Sequence, residues 1–350
     1  MPPIKKICVC SVKMPFLRGG AEIFFDNLVT KLQERDYEVD TIVLPLQIHP
    51  LEEVVKGCLA WRLLKLDSTL DADRIDLIIG TKFPSYLIPH SNKIIWLQHQ
   101  HRDIYDLYGT KYSGIQNTPR EIQLRHQIIE LDQLAFGEAQ KIFSQSKTVA
   151  NRLKRHNGFD SAIVYPPLTD AHAFRFDAQE DFVLSVTRLA GNKRADLLIE
   201  AMPYVPEPFR AVVVGEGSQR LKYERLAESL GVSDRVFFTG KVSRQQVIDY
   251  YARAGVVFYG PIDEDYGYAT LEAFYSRKPV ITCNDSGGTL EFVDSSTGWI
   301  SAPEPQAIAV CIQEALSRKQ AARGRGQAGY EKISYISWDY VFDHLLGNAR

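Results

Sequence analysis

The feature that most restricts the fold is a rhythm of short apolar runs that do not alternate with polar residues. In the first half these are KICVCSV (6–12), VDTIVLPL (39–46), DLIIGT (76–81), KIIWLQH (93–99), KIFSQS (141–146) and AIVYPP (162–167). The second half repeats them with FVLSVTRL (182–189), AVVVGEG (211–217), VFFTG (236–240), GVVFYG (255–260) and PVITCND (279–285). A strand with one solvated face alternates; runs this apolar suit strands buried on both faces, in parallel sheets covered by helices. Amphipathic segments separate the runs. The pattern predicts two doubly wound α/β domains, and 350 residues with 45% hydrophobic content suit two domains of ordinary size. Between the halves, YPPLTDAHAFRFDAQED (165–181) has two prolines and no periodicity and reads as a linker. That predicts an N-terminal domain over 1–168 and a C-terminal one over 169–336. The last segment, SWDYVFDHLLGNAR (337–350), offers Ser337 as a cap and a stripe of Trp338, Phe342 and Leu345 or Leu346 that must be buried.

Charge narrows the partners. The net charge is −2 and the signs are mixed, so no global field draws nucleic acid or an anionic membrane. Cys8, Cys10, Cys58, Cys283 and Cys311 form no C-x-x-C pair and lie mostly in apolar runs, as expected in a reducing cytoplasm. The N-terminus lacks the apolar core of a signal peptide, and no stretch approaches the ~18 apolar residues of a span. The expectation is a cytoplasmic chain with at most a peripheral membrane contact.

In open α/β sheets, ligands sit beyond the carboxyl ends of the strands, which directs attention to the residues after each run. Gly19 and Gly20 follow the first strand and open a helix, whose amides suit either an anion or a tight turn. Arg188 and Lys193, after FVLSV, suit phosphates or are solvated loop charges. In EDYGYATLEAF (264–274) an E-x7-E pair straddles Gly267. On one helix the two carboxylates would be ~12 Å apart along the axis, so Glu264 belongs in a loop and Glu272 in the helix. The N–H groups of Tyr268, Ala269 and Thr270 are then free donors of a first turn, and Glu272, among apolar neighbours, needs donors such as vicinal ribose hydroxyls. NDSGGTLEFV (284–293) places another glycine pair after a strand, opening a helical run for an anion or serving as a loop cap, and the backbone of Lys241 and Val242 after VFFTG suits a nucleobase. In WLQHQHRDIYDLYGTKYSG (96–114), His99, His101, Arg102 and Tyr105 suit a sugar ring or an anionic acceptor group. The D-x-D pairs Asp71/Asp73 and Asp263/Asp265 are read as incidental, with no metal or other cofactor expected.

Taken together, these stretches resemble the retaining glycosyltransferases of family 4, with the GT-B architecture. GGAE, SVTRLAGNKRAD, VVGEGS, VFFTGKVS, EDYGYATLEAF and SGGTLEFVDSSTGW occur in the family's order over nearly the whole chain. The resemblance implies two Rossmann-like domains with a crevice between them and a C-terminal helix crossing back to the N-terminal domain. It also implies that Glu264 contacts the donor sugar, Glu272 the nucleotide ribose, and Arg188 and Lys193 the diphosphate. A histidine near the reacting sugar maps onto His99, with His101 as its substitute. Many members have Gly-Phe-Gly after the first glutamate; here it is Asp265-Tyr266-Gly267, which bears on the donor sugar.

The expected reaction moves a hexose from a nucleoside diphosphate sugar, UDP-glucose before GDP-mannose, to a sugar or lipid-linked sugar acceptor in polysaccharide or glycolipid synthesis. The family similarity implies retention of configuration, with the leaving phosphate helping to deprotonate the acceptor. Fixed cations and helix-terminal amides would stabilise the charge developing on that phosphate without a metal. The rival readings are an epimerase or phosphorylase of the same architecture and a non-enzymatic sugar-binding protein; release of nucleotide from a sugar nucleotide separates them from a transferase.

Overall fold

The computed structural model describes residues 4–16, 19–67 and 74–347. It divides into two compact units, Met1–Pro166 with Trp338–Arg350, and Pro167–Ser337. Asp71 and Asp73 lie outside the described residues.

The first unit carries strands β1 (Lys6–Lys13), β2 (Glu38–Pro45), β3 (Leu77–Gly80), β4 (Lys93–Leu97), β5 (Lys141–Ser144) and β6 (Ala162–Ile163), ordered β2-β1-β3-β4-β5-β6. Every pairing is parallel. The helices are α1 (Gly20–Gln33), α2 (Leu51–Leu63), α3 (Pro119–Glu138) and α4 (Lys147–Asn157). Successive strand residues feed opposite cores, as the two-residue period of a strand requires. Cys8, Cys10, Ile78 and Ile95 pack with α2 and α3 on one face. Ile7, Val9, Ile79, Ile94 and Trp96 pack with Phe24, Leu28 and Leu32 of α1 on the other. One apolar run departs from expectation: VDTIVLPL forms β2, whose side chains are exposed or half-buried, because it is the edge strand and lacks a neighbour on one side.

The second unit carries β7 (Phe182–Val186), β8 (Arg210–Val214), β9 (Val236–Gly240), β10 (Val256–Phe258), β11 (Val280–Cys283) and β12 (Gly298–Ser301), also all parallel, in the order β12-β11-β10-β7-β8-β9. Its helices are α5 (Ala195–Ala201), α6 (Arg220–Ser229), α7 (Arg244–Arg253), α8 (Tyr268–Tyr275), α9 (Pro305–Ser317) and α10 (Lys319–Ile333). Strand β12 was not legible in the sequence: it is four residues at a sheet edge, inside a Ser/Thr/Gly-rich stretch that reads as a turn. Gly298 permits its pairing, since a Cβ there would lie 2.0 Å from the Val280 carbonyl oxygen.

Residues 165–181 are more than a linker. Phe174 is buried against Tyr251, with ring centroids 5.8 Å apart, and Lys278 sits 4.0 Å above the Phe176 ring. Prolines and charge hid this packing. The last helix, α11 (Trp338–Leu345), returns to the first unit, where Val341, Phe342 and Leu345 complete the core shared with α1.

Candidate active site

The strand order of the second unit reverses between β7 and its neighbour β10, so the segments leaving those two strands flank a topological switch point. The segment after β7 carries Arg188, which is exposed, and Lys193. Thr187 and Leu189 donate backbone N–H bonds to Val214 and Glu216 at 3.0 and 2.9 Å. The glycines of VVGEGS make that approach possible, because a Cβ on Gly215 would lie 1.9 Å from the Thr187 oxygen and one on Gly217 2.2 Å from the Leu189 oxygen. Arg194 then ties this segment to the one after β10. Its buried guanidinium donates to the carbonyls of Gly260 (2.8 Å) and Pro261 (3.0 Å) and to Asp285 at 2.8 and 2.5 Å. Sequence reasoning missed Arg194 and Asp285, since their partners lie far along the chain.

Lys193 and Glu264 are in contact: the Lys193 ammonium donates to Glu264 Oε2 and lies 3.5 Å from the Tyr259 hydroxyl. The two side chains leave little of their surface exposed, 17% and 13%. Glu264 is held from below by the glycine pair of SGGTLEFV. Gly288 donates to the Glu264 carbonyl at 2.7 Å, and Gly287, at φ +57°, would place a Cβ 2.6 Å from that oxygen. This pair serves close backbone approach.

Gly267, at φ +86°, turns the chain into α8. Tyr268 and Ala269 lie in the helix's first turn, where amides lack intrahelical acceptors. The Thr270 N–H differs from expectation and donates to the Gly267 carbonyl at 2.9 Å, tightening that turn. Glu272 is 8% exposed, and its donor is Arg244, whose Nη1 lies 2.5 Å from Oε1. The same guanidinium holds Asp170 through two bonds of 2.7 and 3.0 Å and lies 5.0 Å from the Phe174 ring. Burial pushes the Glu272 carboxyl up, and Arg244 and the Tyr251 hydroxyl oppose that push. Arg244 itself, 44% exposed at its side chain, stays firmly charged between two carboxylates that outweigh its own burial. In the sequence Arg244 is an ordinary first-turn residue of α7. Lys241, expected at the base, has its backbone N–H directed to the Glu216 carboxylate at 3.3 Å; Val242 follows it.

In the first unit, the Gly19 N–H is not free for an anion: it donates to Glu22 Oε2 at 2.8 Å, closing a capping box ahead of Gly20. Glu22 also accepts from Lys82 at 3.2 Å. Burial raises the Glu22 carboxyl, but Lys82 and the Gly19 amide outweigh it and hold it below the usual range. A cavity of about 840 Å³ at the carboxyl ends of β1 and β2 is lined by Ser11, Lys13, Phe16, Glu22, Asp26 and Pro45, among others.

The loop after β4, expected to face an acceptor, is largely inward-facing. His99 is half-buried, with Nδ1 2.7 Å from the Gln100 carbonyl. His101 is buried edge-on to Phe83, and desolvation lowers its pKa to about 4, leaving a neutral ring. Arg102 pairs with Asp106 at 2.7 Å. Tyr105 is 5% exposed and donates to Asp132 at 2.7 Å, with Tyr86 donating to the other oxygen at 3.0 Å. Burial raises the Asp132 carboxyl to about 7 against the pull of both hydroxyls. The folded protein therefore keeps a proton there that the unfolded chain releases, and stability falls as pH rises toward 7. Urea unfolding is expected to weaken by at least about 1 kcal/mol between about pH 5 and pH 7.5, and Asp132→Asn to flatten that fall. An equal pH slope in the variant would exclude Asp132 as its source.

Among the described residues, which include Asp263 and Asp265, no group of three or more His, Cys, Asp or Glu is placed to hold a metal ion.

Two six-stranded parallel sheets covered by helices, one in each unit, form the GT-B fold, with a carboxylate–lysine pair at the switch point of the second. Residues 169–332 match the family model Glycosyl transferases group 1. D-inositol 3-phosphate glycosyltransferase of Mycolicibacterium smegmatis is 29% identical over 220 residues, 60% of this chain and 50% of that protein. The chain thus spans about half the length of the curated relatives it matches. Sucrose-phosphate synthase from Thermosynechococcus elongatus superposes with a TM-score of 0.77 at 20% identity, covering 96% of both chains. Anabaena HepE, in complex with UDP and glucose, superposes with a TM-score of 0.70 at 15% identity, covering 97% of this chain and 98% of its own. These likenesses establish the fold. No helix among the described residues is long and apolar enough to cross a membrane.

Proposed function

We propose that the protein is a retaining hexosyltransferase that uses a nucleoside diphosphate sugar, with UDP-glucose the favoured donor, and a sugar acceptor. The observation that carries this reading is the Lys193–Glu264 contact at the switch point, beside the first turn of α8. Lys193, Arg188 and the amides of Tyr268 and Ala269 bind the diphosphate and stabilise the charge that builds on it as the glycosidic bond breaks. Glu264 accepts hydroxyls of the transferring sugar, and Glu272 those of the ribose. UDP is favoured because HepE, of the same fold, was captured with UDP and glucose. The leaving phosphate takes the acceptor proton, so no protein nucleophile is needed. The cavity beside Glu22 and Phe16 combines apolar and charged walls that suit a sugar carried on a less polar group. Such an acceptor would be a lipid-linked precursor met at the inner membrane surface from the cytoplasm.

Incubating the protein with UDP-glucose, other UDP-hexoses and GDP-mannose, and measuring released nucleotide, tests the reading. UDP release that rises with added sugar acceptors supports it; release from none of the donors rejects it. Activity is expected to persist in EDTA, because protein cations supply the charge stabilisation. Loss on chelation with recovery on adding manganese would assign the metal role to a D-x-D pair instead.

A further inference from the structure

The pairing of Glu272 extends the nucleotide reading and rests on it. A carboxylate at 8% exposure costs several kcal/mol to desolvate unless donors replace water. Glu272 meets this need with Arg244, a residue 28 positions earlier, before any ligand enters. Arg244 is not free to swing: Asp170 grips the guanidinium by two further nitrogens, at 2.7 and 3.0 Å, and the Phe174 ring lies 5.0 Å from it. One planar fork thus bridges a buried carboxylate and an anchoring one, a geometry that lysine cannot reproduce.

We propose that Arg244 is the positioning residue of the ribose site, its fork between Asp170 and Glu272 keeping the Glu272 carboxylate a fixed, charged acceptor for the nucleotide's vicinal hydroxyls. The groups facing Glu272 make Arg244 decisive. From α7 come Arg244 and the Tyr251 hydroxyl; Tyr268 of α8 and Tyr259 after β10 are neutral phenols; Asp170, from the segment before β7, is a second negative charge. Arg244 is the cation of this set. Removing it leaves burial and Asp170 both favouring the protonated form of Glu272, which offers ribose a poorer acceptor. Nucleotide affinity then becomes coupled to pH.

The test is UDP and GDP affinity by calorimetry at about pH 6 and about pH 8.5 for wild type, Arg244→Ala and Arg244→Lys. The wild type is expected to bind one nucleotide with little change between the two pH values. Arg244→Ala is expected to bind about tenfold more weakly at the lower pH than at the higher, and adding Asp170→Asn to reduce that ratio. Arg244→Lys keeps a cation but not the fork, so its pH profile should stay flat at about tenfold lower affinity; it also stands in should the alanine variant not fold. Parallel pH profiles in wild type and Arg244→Ala, or wild-type affinity in Arg244→Lys, would overturn the assignment alone. A wild type that binds neither nucleotide would overturn the nucleotide reading as well.

Discussion

Glu264→Ala is expected to lower turnover by about 10²–10³-fold while UDP affinity stays within about threefold of wild type. The expectation follows from the contact with Lys193. Glu264 is assigned to the transferring sugar, so its loss falls on the step in which the sugar develops positive charge. The diphosphate keeps Lys193, which is now relieved of its carboxylate partner and free to bind phosphate at least as well. Lys193→Met should behave oppositely. It strips a cation from the phosphates and leaves Glu264, an unpaired negative charge, to repel them, so UDP affinity should fall by more than about tenfold along with turnover. Because the two groups touch, their effects should not add, and the double variant should lose less than the product of the single losses. Equal losses of UDP affinity in Glu264→Ala and Lys193→Met would mean that Glu264 acts on the nucleotide and that the sugar contact lies elsewhere.

What was legible in the sequence follows the range of the interaction. Strands buried on both faces announce themselves as apolar runs, and the fold class rests on those. The carboxylates of the E-x7-E pair, Lys193 and the Gly267 turn were legible because loop, turn and helix start are local events. Arg194, Asp285 and Arg244 were not, because each is defined by a partner 28 to 91 residues away, and in sequence each is a surface charge. The packing of the loop after β4 was hidden for a related reason. Tyrosine and arginine are as suited to a sugar as to a buried hydrogen-bond network, and the partner of Tyr105, Asp132 of α3, lies 27 residues along the chain. The glycine pair at 287–288 was visible, and both of its readings were open, because what a glycine makes room for is not written beside it.

That pair supports the second large effect. Gly287→Ala is expected to reduce turnover by about 10²-fold and to destabilise the second unit by about 2–4 kcal/mol. Part of the cost is intrinsic, since alanine at φ +57° sits in the left-handed region. The rest is steric: the new Cβ would lie 2.6 and 2.7 Å from the Glu264 carbonyl oxygen and nitrogen and 2.8 Å from the Asp263 carbonyl carbon. All three are backbone atoms, so no rotamer change relieves the clash and the segment that carries Glu264 must shift. A displacement of about 1 Å is enough to lose the Lys193 contact and the sugar geometry with it. Gly324→Ala provides the matched control: this glycine is in the body of α10, and an added Cβ would meet nothing within 4 Å, so the same change should stabilise by about 0.5–1 kcal/mol and leave turnover intact. Thermal unfolding and turnover measured on both variants separate the two cases. If Gly287→Ala kept wild-type turnover, the position of Glu264 would not depend on this backbone contact, and its placement would come from Lys193, from Arg194 and from the backbone bonds of Asp263 and Glu264 to Asp285 and Ser286.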